Sequence, residues 1–251
     1  MPWNDAEALE ALLREHSGDI ALVLMEAVMC NYACCPPRPG YLHAVRQLCD
    51  RYGVLLCFDE VITGFRVGLS GAQGAFGVTP DLAVLGKALA GGLPLAAVAG
   101  RRDVLRVLRE QRVTGAGTFN AFPLAMAAGL ATMRLLQSKE IGHYERIEAV
   151  QTRLMRELAV LLRQHGVPCL LQGPCGIFSL RIIDLEVAHS PSDLAAEDLG
   201  MSARLAVLLQ QEGVLMANGA RFNLCSAMND ADVEDTLLRF ERALARLVNR
   251  S

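Results

Sequence analysis

Short, fully apolar runs alternate with amphipathic stretches along the first half of this chain. Residues 20–25, 54–58, 82–85 and 95–99 are apolar throughout, and Gly, Pro or charged residues bound each run. Runs of that length and boundary read as buried strands. Between them lie segments of helical period. Asn4-Asp5 can cap a first helix with Ala8, Leu9, Leu12 and Leu13 on one face, ended by His16-Ser17-Gly18. Residues 41–52 place Leu42, Val45 and Leu48 on one side and Arg46 and Asp50 on the other, and Gly53 follows where a left-handed residue is wanted. A helix with a basic face is expected over 102–109 and one rich in small residues over 124–136. Helix, glycine and strand in repetition predict a parallel sheet with crossover helices. The second half reads differently. A long helix spans about 140–165 and is followed by strands at 175–183, 214–216 and 221–225. A helix at 199–211 and a closing helix at 230–248 complete it, the latter with Leu237, Leu238, Phe240, Leu244 and Leu247 as its apolar face. This predicts two domains: an α/β domain over 1–139 and a smaller α+β domain over 140–251.

Two strand ends carry the chemistry. The run 54–58 stops at Asp59-Glu60, and the run 82–85 stops at Gly86-Lys87. In open α/β sheets, ligands gather at the carboxyl ends of strands. Asp59 is a candidate anchor for a cationic ring nitrogen, because a carboxylate within reach favours the protonated base. Lys87 is a candidate imine-forming amine. It lies in VLGKALAGGLP and is the one charged residue from 82 to 100, and an apolar setting makes a lysine nucleophilic by lowering its pKa. An acid and a lysine so placed are what a pyridoxal phosphate site needs. Five glycines from Gly64 to Gly77 suggest a flexible loop near a ligand. They match neither the dinucleotide fingerprint nor a P-loop.

The same stretch resembles the class III aminotransferases. FDEVITGFR, GAQGAFGVTPDLAVLGK and GGLP stand in the family's order, flanked by PPRPGYLHAVRQLCDRYG and GTFNAFPLAMAAGLATMRLL. The likeness is strongest to the glutamate-1-semialdehyde aminomutase branch and reaches SAMNDADVEDTL near the end. It implies the fold of type I pyridoxal-phosphate-dependent transferases: a partial large domain, a three-layer sandwich on a mostly parallel sheet, plus the small C-terminal domain. It implies pyridoxal 5'-phosphate as cofactor, Lys87 and Asp59 as catalytic residues, and Val61 packed on the ring face. Glu26 takes the place of a glutamate at the edge of the cofactor pocket, although Ala27 replaces the family's proline. Thr118 would reach the cofactor phosphate of a neighbouring subunit, a role that suits a hydroxyl in a glycine turn before a helix. Phe122 replaces the asparagine usual in that turn. Arg221 would grip a substrate carboxylate.

The resemblance covers nearly the whole chain, but the chain does not cover the whole family. Its first residues align with the middle of the large domain. The glycine turn that binds the phosphate and the aromatic that stacks on the ring have no counterpart. The expected activity is therefore an aminotransferase or aminomutase acting on a small-molecule amino donor or acceptor. The alternative is a catalytically inactive truncated homologue, or a partner subunit of an intact aminotransferase. Either way the chain should pair, as a homodimer or with a chain supplying the missing N-terminal half.

Composition adds exclusions. With 24 basic against 27 acidic residues and no basic block, nothing proposes nucleic acid. Eight cysteines show no CxxC pair and the five histidines are scattered, which argues against zinc. Reduced thiols, an acidic N-terminus and the lack of a long apolar run predict a cytoplasmic chain away from membranes.

Overall fold

The computed structural model describes residues 1–138, 140–216 and 221–249. It divides into two compact units, Met1–Ala27 with Pro37–Ile141, and Val28–Pro36 with Gly142–Ser251.

In the first unit, β1 (Leu22–Met25), β2 (Leu55–Glu60), β3 (Leu82–Leu85) and β4 (Ala97–Gly100) form one sheet in that order. The first three are parallel and β4 runs antiparallel to β3. The α/β class and the mostly parallel sheet are as the alternation of runs predicts. Three helices precede β3: α1 (Ala6–Glu15), α2 (Tyr41–Tyr52) and α3 (Gly71–Phe76). The Asp5 side chain accepts from the Ala8 N–H at 2.8 Å and caps α1. Gly53, at φ 66°, closes α2. Leu9, Leu13, Leu42, Val45 and Leu48 pack with Leu56 and Phe58 in one core, against which Val23 and Met25 also lie. Leu12 departs from expectation and is exposed, because Leu9 and Leu13 set the centre of the buried stripe and Leu12 falls on its flank. After β4 come α4 (Arg102–Arg109) and α5 (Pro123–Gln137).

Strand alternation assigns faces. Val23, Met25, Leu56 and Phe58 face α1 and α2. Leu22 and Leu24 pair in register with Leu55 and Cys57 on the opposite face, where Leu22, Leu24 and Val98 are exposed.

Asp81, just before β3, ties this unit together. Its buried carboxylate accepts from the Leu56 N–H, from Arg46 Nη1 and from Arg101 Nη1, each at 2.8 Å. One side chain thereby joins β2, α2 and the start of α4. Burial pushes the carboxyl up, but these three donors outweigh it and hold the Asp81 pKa below the usual carboxylate value.

The second unit contains α6 (His143–Gln164), β5 (Leu170–Gln172), β6 (Ile177–Arg181), α7 (Leu199–Gln211), β7 (Arg221–Asn223) and α8 (Asp230–Val248). The three strands form an antiparallel sheet in chain order. Phe178 and Leu180 face a core with Leu154, Leu158, Leu205, Leu209, Phe240 and Leu244, and Phe178 stacks on Phe222 at 4.6 Å. Asn229 and Asp232 form a capping box at the start of α8.

Several expectations change here. The long helix starts at His143, because Gly142 at φ 58° breaks the path before it. β5 was not legible as a strand. Residues 214–216 are not a strand: the Val214 N–H is spent on the Leu209 carbonyl at 2.8 Å, which ends α7, and Val214 and Met216 pack on the core as coil. Leu238 of α8 is exposed while Val233 and Ala243 are buried, so the buried stripe is rotated from the expected one. The segment Val28–Pro36 groups with this unit, and the Ala33 carbonyl accepts from Gln172 Nε2 and Ser179 Oγ at 2.8 Å each.

Replacing Asp81 with Ala should lower unfolding free energy by about 3 kcal/mol at neutral pH, the usual cost of removing one partner of a buried ion pair. The folded pKa is depressed, so the contribution is complete above the unfolded value of about 3.9 and fades as pH falls through the lower folded value. Urea denaturation of both proteins at pH 7 and in acid checks this; a gap that widens in acid contradicts it.

Candidate active site

β2 runs two residues further than the apolar pattern suggests, because Asp59 and Glu60 pair with Val84 and Leu85 of β3. The two acids are therefore strand residues, and alternation sends them to opposite faces. Asp59 lies on the face of Leu55 and Cys57. It is half-buried, and its Oδ1 accepts from the Val61 N–H at 3.0 Å. Glu60 lies on the helix-covered face and is fully buried.

Lys87 follows β3 and opens a single 3-10 turn, Lys87–Ala90. Adjacent strands are about 4.8 Å apart, so the register sets Asp59 and Lys87 at neighbouring strand ends. Lys87 has φ 43°, a left-handed conformation that costs a non-glycine residue about 1–3 kcal/mol and gathers at functional sites. Gly86, just before it, lies beside Val61: a Cβ there would sit 3.5 Å from Val61 Cγ1. Val61 thus stands between Asp59 and the lysine turn. The expected apolar setting of Lys87 is not found, since its side chain is exposed. Leu89 and Ala90 turn inward instead, and the apolar neighbours in sequence leave the amine at the open edge. Of the 24 basic residues only two are lysines, Lys87 and Lys139, a signal in the sequence beyond the local motif.

Glu60 was missed as a site-building residue. Its Oε2 accepts from Thr63 Oγ1 at 2.9 Å and the Ala72 N–H at 2.8 Å. Its Oε1 accepts from the Gln73 N–H at 3.0 Å and Gln73 Nε2 at 3.2 Å. The glycine-rich stretch is thus folded around a carboxylate. A Cβ on Gly71 would lie 2.3 Å from Glu60 Oε2, and one on Gly64 would lie 2.6 Å from the Glu60 carbonyl oxygen. These glycines serve close approach, where the sequence suggested flexibility. A cavity of about 370 Å³ opens beside them, lined by Phe65, Leu69, Ser70, Thr79 and Leu85 among others.

The remaining candidates fall in three places. Glu26 directly follows β1, level with Asp59 because Met25 pairs with Phe58, and is half-buried. Thr118 is exposed in the turn before α5, where Asn120 Nδ2 donates to the Gly115 carbonyl at 2.7 Å; no described contact joins it to Asp59 or Lys87. Arg221 belongs to the second unit, where its Nη1 donates to the Cys30 carbonyl and Asn31 Oδ1 at 3.3 Å each. Its buried Nε has no hydrogen-bond partner among the described residues.

Comparison with known proteins bears on this arrangement. The family model of class-III aminotransferases matches residues 3–244. The chain is 40% identical over 247 residues to a glutamate-1-semialdehyde 2,1-aminomutase of Caldivirga maquilingensis, covering 95% of this chain and 55% of that protein. Among solved structures, an omega-transaminase from Sphaerobacter thermophilus superposes with a TM-score of 0.90 at 30% identity, covering 98% of this chain and 57% of the other. A glutamate-1-semialdehyde aminomutase from Pseudomonas aeruginosa PAO1, in complex with PMP, superposes with a TM-score of 0.83 at 26% identity, covering 98% and 56%. The chain therefore spans little more than half the length of these relatives. Their fold, type I of the pyridoxal-phosphate-dependent transferases, is the fold of this chain, and pyridoxal phosphate is the cofactor its family implies. The sheet, the strand-end acid and lysine and the family match lead to one conclusion: this chain belongs to the class-III aminotransferases.

Proposed function

We propose that the chain carries the acid–lysine half of an aminotransferase or aminomutase site and transfers amino groups on small molecules. The single observation that carries this reading is the placing of Asp59 and Lys87 at the ends of two adjacent parallel strands. The residues suit pyridoxal phosphate. Asp59 keeps one oxygen bound to the Val61 N–H and takes no hydrogen bond on the other from the described residues. The Lys87 side chain has neither an ion pair nor a hydrogen bond among them, and its backbone is held at φ 43°.

When bound, the cofactor supplies an electron sink for the carbanion formed at the substrate. Lys87 would hold the cofactor through its aldehyde and, as general base and then acid, would take the substrate α-proton onto its Nζ and return it. Asp59 would keep the ring nitrogen protonated, since an opposite charge raises that nitrogen's pKa. Val61 offers an apolar wall to the ring. Glu26 borders the pocket. Thr118 serves the phosphate from a neighbouring subunit, and Arg221 takes a substrate carboxylate, its Nε having no hydrogen-bond partner among the described residues.

The exposed apolar residues support an assembled form. Leu22, Leu24 and Val98 lie bare on one sheet face, and Leu124, Met126, Leu130 and Leu135 lie bare along α5. A parallel sheet is ordinarily covered on both faces. The chain pairs as a homodimer, or with another chain that covers these faces. A non-catalytic partner subunit is the second reading, favoured by Ala27 and Phe122 at positions where the family pattern differs.

Three results are expected. Saturated with pyridoxal phosphate, the wild-type chain turns yellow, and Lys87→Ala stays colourless with an unchanged melting temperature; a yellow Lys87→Ala protein moves the amine elsewhere. Asp59→Asn retains colour but loses turnover by about three powers of ten, on the scale of a lost charge partner at a reacting centre. An unchanged rate shifts the ring-nitrogen partner to another residue. Light scattering at micromolar concentration gives a mass above one chain; a monomer that binds no dye specific for exposed apolar surface contradicts the assembled form.

A further inference from the structure

Glu60 is buried and charged, and nothing in the proposed chemistry uses it. Its four donors come from three residues, Thr63, Ala72 and Gln73. All lie downstream of the strand end, so the carboxylate folds the chain from Val61 to Gln73 back onto β2. Within this fold the Gly64 N–H donates to the Glu60 carbonyl at 2.8 Å, and the Arg66 and Val67 N–H groups donate to the Thr63 carbonyl at 3.1 Å. The turn is thus pinned at its backbone and, through the Glu60 side chain, at its far end.

Val61 lies inside this turn. Its N–H donates to Asp59 Oδ1 at 3.0 Å, and its side chain abuts Gly86. The direction of the Asp59 carboxylate therefore depends on where the turn holds the Val61 amide. We propose that Glu60 is a positioning residue: by anchoring the turn over residues 61–73, it holds the Val61 N–H on Asp59 and so aims the other Asp59 oxygen at the ring nitrogen. The inference rests on the proposed function for the identity of what Asp59 meets, but the Glu60–Val61–Asp59 linkage stands on its own geometry.

The physical argument is one of strength and rigidity. A carboxylate taking four donors away from water is held more firmly than a surface acid, since charge-assisted bonds are the strong ones and burial removes the competing water. Gly71 permits this: at φ 60° and with a Cβ position 2.3 Å from Glu60 Oε2, it can carry no side chain. Replacing the acid by its amide keeps the shape but turns one oxygen into an N–H donor facing N–H donors. The turn must then shift, and Val61 shifts with it.

The test is amide hydrogen exchange at Val61, followed by NMR on the full chain. The reference is the Leu56 amide, which lies in the same strand and is held by Asp81. In Glu60→Gln the Val61 amide should exchange about tenfold faster, as loss of a bond to a charged acceptor implies, while Leu56 exchanges as in the wild type. Val61 protection that stays at the wild-type level relative to Leu56 overturns the proposal and leaves Glu60 a purely structural acid. Should Glu60→Gln fail to fold, Thr63→Val removes one of the four donors and leaves the charge. It should speed Val61 exchange by a smaller factor, and no change there overturns the proposal equally. Because this readout needs no cofactor, it decides the matter even where the wild-type chain takes up no pyridoxal phosphate, a result that counts against the proposed function alone.

Discussion

The carboxylate of Glu60, shut off from water and held by four donors, fixes the carboxyl end of β2. Asp59 and Val61 of the proposed site adjoin it in the chain. Alternation along one strand sends Glu60 into the helix-covered side and Asp59 to the other. The first acid builds the turn, and the second is left with an oxygen free for chemistry. The pairing of β2 with β3 then brings Lys87 to the neighbouring strand end. Asp81 performs the matching task at the opposite end of β3, where Arg46, Arg101 and the Leu56 amide hold it. The two buried acids bracket the β2–β3 pair, one where β3 enters the sheet and one where β2 leaves it.

Much of this frame is written in the apolar pattern. The runs at 20–25, 54–58 and 82–85 hold strands because no charge interrupts them and glycine or a charged residue bounds them. The helices at 41–52 and 199–211 follow from period and caps. The boundaries that failed have physical causes. Residues 214–216 look like a strand, but Gly213, left-handed at φ 84°, turns the chain so that the Val214 amide caps α7. Leu12 and Leu238 are apolar and yet exposed, because one turn of helix offers more apolar positions than the core takes up. Lys87 reads as buried from its neighbours in sequence, whereas the turn after β3 carries those neighbours inward and leaves the amine out.

The site itself was half legible. Asp59 and Lys87 announce themselves by ending apolar runs. Glu60 does not, since a second acid after a first looks like more of the same surface charge. Its role follows only from the fold of residues 63–73 around it, and the glycines there gave a misleading hint of mobility. Thr118 and Arg221 show the limit of motif reading: the structure places one in an exposed turn and the other against the Val28–Pro36 segment, and their roles remain proposals. The comparisons establish the family, and the chain spans little more than half of the relatives it matches, so its activity as a whole is likewise proposed.

The central claim is that Lys87 is the amine that holds the cofactor. The most direct measurement is reduction of the chain with borohydride after incubation with pyridoxal phosphate, followed by peptide mass mapping. Only two lysines are present, Lys87 and Lys139, so the answer is nearly binary. The account predicts one cofactor mass per chain, on the peptide that carries Lys87. A label confined to Lys139, or none at all at saturating cofactor, would contradict it.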